Sequence, residues 1–216
     1  METDIFEIFS SAGDPERAKE MSAYMRDKFA YLGIPAPLRK ELSKEFLRSA
    51  DKKPVDWQFV FECWERPERE YQYLAADYLD KIKRKLSASD IPNIRKMIVS
   101  KSWWDTVDAL DVLVGDIAIR YPEVNETILE WSAGDNIWLR RIAIDHQLKR
   151  REKTDTVLLE RILINNLGQD EFFIDKAIGW SLREYSKTNP AWVRGFIEKH
   201  KDEMKPLSVR EGSKYL

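Results

Sequence analysis

The sequence predicts an all-α fold, a stack of helical hairpins repeated along the chain. Three observations predict it. Apolar residues recur at three- and four-residue spacing between breaks, and the strict alternation of a half-buried strand appears nowhere. Four helix starts, near Glu68, Ser102, Asn136 and Asp170, fall 34 residues apart each time. In that register Ala75, Ala109, Ala143 and Ala177 form one column, and Ala76, Leu110, Ile144 and Ile178 the next. A small residue recurring at one helical position implies close approach of neighbouring helices. A two-helix unit cannot bury its own apolar face, so such units stack into a solenoid.

The elements follow in order. The first 50 residues supply one or two less regular units. The first helices of the regular pairs are expected near 55–65, 90–100, 124–133 and 156–167. The four starts above open the second helices. Cap candidates are Ser87 or Ser89 before Ile91, Asp135 or Asn136 before Ile137, and Asp170 before Phe172. Arg66-Pro67, Tyr121-Pro122 and Asn189-Pro190 mark breaks, and residues 206–215 form a short capping helix or tail. No low-complexity segment or long linker interrupts the chain, so residues 1–216 are expected to form a single domain. The period suits tetratricopeptide or HEAT-type repeats. Tetratricopeptide consensus residues are not evident, which favours a HEAT-like α-α superhelix with a concave face.

Composition narrows the function. Apolar residues make up 43%, enough for a sizeable core. No apolar run is long enough to cross a bilayer, and the start of the sequence lacks the pattern of a secretory signal. The expected location is therefore the cytoplasm, with nucleoid association when acting on DNA. One cysteine, Cys63, rules out an intrachain disulfide and any Cys-x-x-Cys zinc cluster. With only His146 and His200 besides, no metal or cofactor is expected, and nothing suggests an obligate partner, so a monomer is expected. The net charge of −2 speaks weakly against nucleic acid.

Where the charge lies matters more than its sum. A helix advances about 100° per residue. With the alanines at zero, Trp104, Asp108, Arg141 and Trp180 fall in one arc of roughly 140° on the far side. The same arc carries Lys81, Lys149 and Arg183 six residues past their alanines, and Lys187 ten past. Lys176 takes the column of Asp108, and Gly115 leaves a gap in the basic series beside it. Such a stripe suits phosphate contacts; a solvated charged face is the competing reading.

The residues in that arc suggest a chemistry. A tryptophan face attracts a cation, and a nearby carboxylate stabilises a second developing positive charge. Purines alkylated at N3 or N7 are cationic and leave deoxyribose as an oxocarbenium-like species. The departing base becomes neutral, so a general acid is dispensable and one carboxylate suffices. Three blander roles stand beside this one: Trp104 and Trp180 as core residues, Asp108 in a surface ion pair, and Arg141 in a structural one. Trp103, turned about 100° from Trp104, reads as core, and His146 as structural. No Gly-rich phosphate loop, nucleophile elbow or metal-ligand cluster competes for the site.

Five stretches carry a resemblance. They are Tyr24-Met-Arg-Asp-Lys-Phe-Ala-Tyr-Leu-Gly-Ile34, Ser102-Trp-Trp-Asp-Thr-Val-Asp108, Asn136-Ile-Trp-Leu-Arg-Arg141, Phe172-Phe-Ile-Asp-Lys-Ala-Ile-Gly-Trp180 running on to Pro190, and Pro206-Leu-Ser-Val-Arg-Glu211. Together they resemble the AlkD-like DNA alkylation repair family over nearly the whole chain. The resemblance implies a HEAT-like solenoid holding double-stranded alkylated DNA. It implies a monofunctional glycosylase of base excision repair acting on 3-methyladenine and 7-methylguanine type lesions, without base flipping, metal or cofactor. It places the catalytic aspartate on Asp108, the two tryptophans on Trp104 and Trp180, the arginine on Arg141, gripping a phosphate near the lesion, and a DNA-contacting aromatic on Tyr24. Lys81, Lys149, Lys176, Arg183 and Lys187 are the expected backbone contacts. The alternative is a non-catalytic HEAT-like scaffold that binds DNA structures or a protein partner.

Overall fold

The structure, a computed structural model, describes residues 4–216. Every regular element among the described residues is a helix, and the only β pairing is an isolated bridge between Ala30 and Glu68. The chain forms two compact units that part between Leu86 and Ser87.

The first unit holds α1 (Ile5–Ser11), α2 (Pro15–Tyr24), α3 (Ala36–Ala50), α4 (Trp57–Glu65) and α5 (Arg69–Lys81). Asp4, Asp14 and Asp56 cap three of them by accepting backbone amides of the first turn. Its core is Phe9, Ile34, Val60, Cys63, Leu74, Ala75 and Leu79, all fully buried. The buried carboxylate of Glu70 accepts the amides of Leu32, Gly33 and Ile34 at 2.9–3.0 Å, which anchors the segment leading into α3. Gly33 makes that turn possible: its φ is +89°, and a Cβ there would lie 2.0 Å from the Asp14 carbonyl.

The second unit holds α6 (Ile91–Ile98), α7 (Trp104–Arg120), α8 (Val124–Ser132), α9 (Ile137–Asp145), α10 (Thr156–Ile164), α11 (Phe172–Ser186), α12 (Pro190–His200) and α13 (Pro206–Gly212). Like packs on like, as a repeat requires. The second helices α7, α9 and α11 lie side by side with α13 next in line, and α8 lies beside α10. The expected first helices near 90–100, 124–133 and 156–167 are α6, α8 and α10, and the tail helix is α13.

The period holds on average, with local slips. The helix N-caps are Glu68, Trp103, Asn136 and Glu171, so the steps are 35, 33 and 35 residues. Ser102 does not start α7, because its hydroxyl turns back to the Ile98 carbonyl at 2.6 Å. Asp170 does not cap α11, because it pairs with Lys205 at 2.6 Å. One residue of slip is about 100° of helix rotation. Ala75, Ala143 and Ala177 are fully buried as expected, but Ala109 is exposed and Leu110 fills the packed position.

Candidate functional site

The site is built where α7, α9 and α11 meet. Arg141, on the second turn of α9, is only 2% exposed. Its Nε and Nη2 donate to the two oxygens of Asp108 on α7, at 2.7 and 2.9 Å. This is the side-on fork that matches guanidinium to carboxylate and fixes both planes. Its Nη1 donates to the Phe173 carbonyl in the first turn of α11 at 2.7 Å. Its Cζ lies 5.1 Å from the ring centroid of Trp180, two turns further along α11. One side chain thus ties three successive repeat helices together.

Asp108 keeps 26% of its side chain exposed, so the pair is reachable from one edge. That edge opens into a cleft of about 750 Å³ lined by Asp108, Asp111, Gly115, Asp145, Lys149 and Trp180, among others. Gly115 forms part of its wall because α7 and α9 touch backbone to backbone there. A Cβ at Gly115 would lie 2.3 Å from the His146 carbonyl. The Gly115 carbonyl in turn accepts Nη2 of Arg150 at 2.8 Å.

Trp104 stands one turn before Asp108 on α7 and is half-buried; it does not line the cleft. Trp103 is buried, and its ring packs edge-on against Trp138 and Phe173 at 5.8 and 5.1 Å. That aromatic knot joins the starts of α7, α9 and α11 and so holds the Arg141–Asp108 pair in register. His146 is buried with Nδ1 against the Ala143 carbonyl at 2.6 Å. Burial pushes its pKa down to about 3, so it is neutral and structural.

Sequence reasoning missed two residues of the site. Asp111 and Asp145 are 7% and 2% exposed, and each of the carboxylates of Asp108, Asp111 and Asp145 places an oxygen within 4.8 Å of the others. Burial, reinforced by the neighbouring carboxylates, pushes Asp111 well above the usual carboxylate range. Burial likewise pushes Asp145 up to about 8 against the pull of Arg141. The signal was legible: Asp77, Asp111 and Asp145 form a 34-residue column of their own. A divalent cation could span three such oxygens, but the Arg141 guanidinium already occupies both oxygens of Asp108 and stands 4.0 Å from Asp145.

The basic residues separate into two groups. Lys149 is exposed on the loop after α9, near Arg151 and Lys153, both also exposed, and none of the three has an ion pair among the described residues. Lys176 and Arg183 instead share the buried carboxylate of Glu211 on α13, at 3.3 and 2.9 Å. Lys187 pairs with Glu184 at 2.5 Å and lies 5.4 Å from the Tyr215 ring. The uniform stripe of solvated cations is therefore absent in this unit. Arg141, too, lies differently from a phosphate-gripping residue: its donors are spent on Asp108 and Phe173, out of solvent. Tyr24 and Lys81 belong to the first unit, exposed near the ends of α2 and α5, with Tyr24 at 75%.

Comparison with known proteins adds the lineage. The profile of a family described as DNA alkylation repair enzyme matches residues 5–216. A solved structure from Enterococcus faecalis, described as a predicted DNA alkylation repair enzyme, is similar at 40% identity, with a TM-score of 0.88 over 94% of this chain and 96% of that one. The structure of smu.31 from Streptococcus mutans shares the fold at 20% identity, with a TM-score of 0.63 over 84% of this chain and 96% of that one. A search of curated proteins found no match.

Proposed function

Because the chain belongs to the DNA alkylation repair enzyme family, we propose that it is a monofunctional DNA glycosylase. On this reading it hydrolyses the N-glycosidic bond of cationic N3- and N7-alkylated purines in double-stranded DNA, the first step of base excision repair. The observation that carries the reading is the Asp108 carboxylate, clamped by Arg141 yet open on one edge to a cleft bounded by Trp180.

The chemistry needs little more. The bond between C1′ and the purine nitrogen breaks, and its electron pair leaves with the base. The cationic purine becomes neutral as it departs. Positive charge moves to C1′ and the ring oxygen of deoxyribose, where Asp108 stabilises it electrostatically. A water oriented by the same carboxylate adds to C1′ and loses a proton. Trp180, and Trp104 one turn before Asp108, offer faces to the cationic nucleotide, a contact worth about 0.5–2 kcal/mol depending on desolvation. The half-open cleft suits a nucleotide that stays stacked in the duplex. Arg141 acts by holding Asp108 at a fixed angle. Lys149, Arg151 and Lys153 take the flanking phosphates, and Tyr24 and Lys81, exposed on the first unit, are further DNA contacts.

The test is base release from duplex DNA carrying 7-methylguanine, followed with EDTA present. Wild type should release base far above the spontaneous rate. Asp108→Asn keeps the shape of the side chain and removes its charge, so release should fall by roughly 10²–10³-fold, the usual loss for one preorganised electrostatic group. Undiminished release by that variant would sink the mechanism. No release by the wild type would sink the enzyme reading and leave a DNA-binding scaffold.

A further inference from the structure

The buried charge around Arg141 does not balance. Three carboxylates, Asp108, Asp111 and Asp145, each place an oxygen within 4.8 Å of the others, and among the described residues Arg141 is the one guanidinium ion-paired to them. Its fork is filled by Asp108. Asp145 is left with both oxygens buried and accepting no hydrogen bond, its nearest cationic atom being Nε of Arg141 at 4.0 Å. An ionised carboxylate in that position loses its hydration and gains no donor in return. Two carboxylates sharing such a site do not both ionise.

We propose that Asp111 and Asp145 form a proton-holding pair that positions Arg141, and that loss of its proton withdraws the guanidinium from Asp108 and turns base release down. The proposal rests on the glycosylase reading and adds a control to it. With the pair protonated, Arg141 has one charged partner and forks onto Asp108. With Asp145 ionised, a second carboxylate competes for the same Nε, and Asp108 loses one of its two fixed hydrogen bonds.

Among the described residues, the only other cation acting on the pair is Lys149, and it acts on Asp111 rather than Asp145. On α9 itself the groups are Arg141 and the neutral His146, and α7 contributes Asp108 and Asp111. On the following loop Lys149 acts on Asp111 from the solvent side, while Arg150 is turned to the Gly115 carbonyl. On α11, Lys176 is held by Glu211 and lies 5.8 Å from the far partner ring, Trp180. The sign follows from the raised pKa of Asp145, about 8: the proton is held below that pH and lost above it.

Two measurements test this. In the DNA-free protein with EDTA, a carbon-13 NMR titration of aspartate carboxyls should show Asp111 and Asp145 titrating as a coupled pair, with at least one proton still bound at pH 7. Both carboxyls ionised at pH 7 would overturn the proposal. So would a shift of that titration by added magnesium or manganese at millimolar concentration, which would assign the missing positive charge to a metal. The second measurement is single-turnover release of 7-methylguanine at pH 7 and pH 9. Wild type should slow about tenfold across that interval, as expected for one required proton. Asp145→Asn, whose amide stands permanently for the protonated acid, should give a ratio near one whatever its absolute rate, and Asp111→Asn should move the same ratio toward one. Unchanged ratios in both variants would overturn the proposal. If the wild type releases no base at any pH, the glycosylase reading fails, and the carboxyl titration alone still decides whether the proton pair exists.

Discussion

Arg141 shows how one residue can be both architecture and site. Its three donor nitrogens go to two oxygens of α7 and one of α11. A lysine at this place has a single ammonium and no fork, so it cannot reproduce the plane that holds Asp108. Arg141→Lys should therefore cut base release by roughly 10²-fold, in line with loss of one preorganised group. It should also cost about 1–3 kcal/mol of stability, the range for leaving a buried acceptor without its donor. The two readouts are a single-turnover assay and urea denaturation. Gly115 makes the complementary case, where absence of a side chain is the function. The closest atom to a new Cβ is the backbone carbonyl of His146 at 2.3 Å, which cannot rotate away. Gly115→Ala should cost about 1–3 kcal/mol, the range for overpacking a fitted interior, and a urea midpoint equal to wild type would contradict that account. The sequence showed Gly115 only as a gap in a basic column; that a carbonyl fills the gap is a fact of packing between helices.

At the scale of elements, the 34-residue period found the helices, and tertiary pairing decided which charges stay free. Lys176 and Arg183 lie on the expected face of α11, but Glu211, 35 and 28 residues away, draws both inward. No column of a repeat can show a partner supplied by a terminal helix that breaks the repeat. The loop after α9 behaves differently. Lys149 and Arg151 adopt left-handed backbone with φ of 65° and 54°. Backbone of that kind in non-glycine residues persists only where surrounding structure holds it. The loop lines the cleft beside Asp108 and carries cations without ion pairs among the described residues. If these three cations take phosphates, the triple change Lys149→Gln, Arg151→Gln and Lys153→Gln should lower the slope of log K against log salt by up to about 2.7, about 0.9 per contact. Single-turnover release at saturating protein should change much less. An unaltered salt slope would remove the loop from the DNA contact.

For the chain as a whole, the fold class was legible in the sequence because periodic burial is written in every repeat. The core of the site was half legible. Of the four residues expected to gather, Asp108, Arg141 and Trp180 meet across stacked second helices, while Trp104 stands off the cleft. Asp111 and Asp145 read as surface residues in a column of aspartates, and their burial comes from the packing of α7, α9 and α11 around Arg141. Their burial has a consequence for the stability of the chain as a function of pH. Asp145 has its pKa raised from 3.8 to about 8 in the folded state. Between those values the native state holds a proton that the unfolded chain has lost, so stability falls as pH rises. His146 has its pKa lowered from 6.5 to about 3. Between those values the unfolded chain holds a proton that the native state refuses, so stability rises with pH. Each slope is about 1.4 kcal/mol per pH unit at full difference. From about pH 4 to 6.5 these two contributions cancel, while Asp111, also raised by burial, adds a fall with rising pH; the decline should therefore steepen above pH 6.5, where His146 no longer offsets Asp145. Urea denaturation followed by tryptophan fluorescence at closely spaced pH values tests the division. Asp145→Asn should lessen the fall above pH 6.5 and shift the balance below it toward the rise that His146 causes. His146→Gln should leave the alkaline fall in place and extend it downward to about pH 4. A wild-type profile with the same slope on both sides of pH 6.5 would show that these two buried groups do not set the dependence.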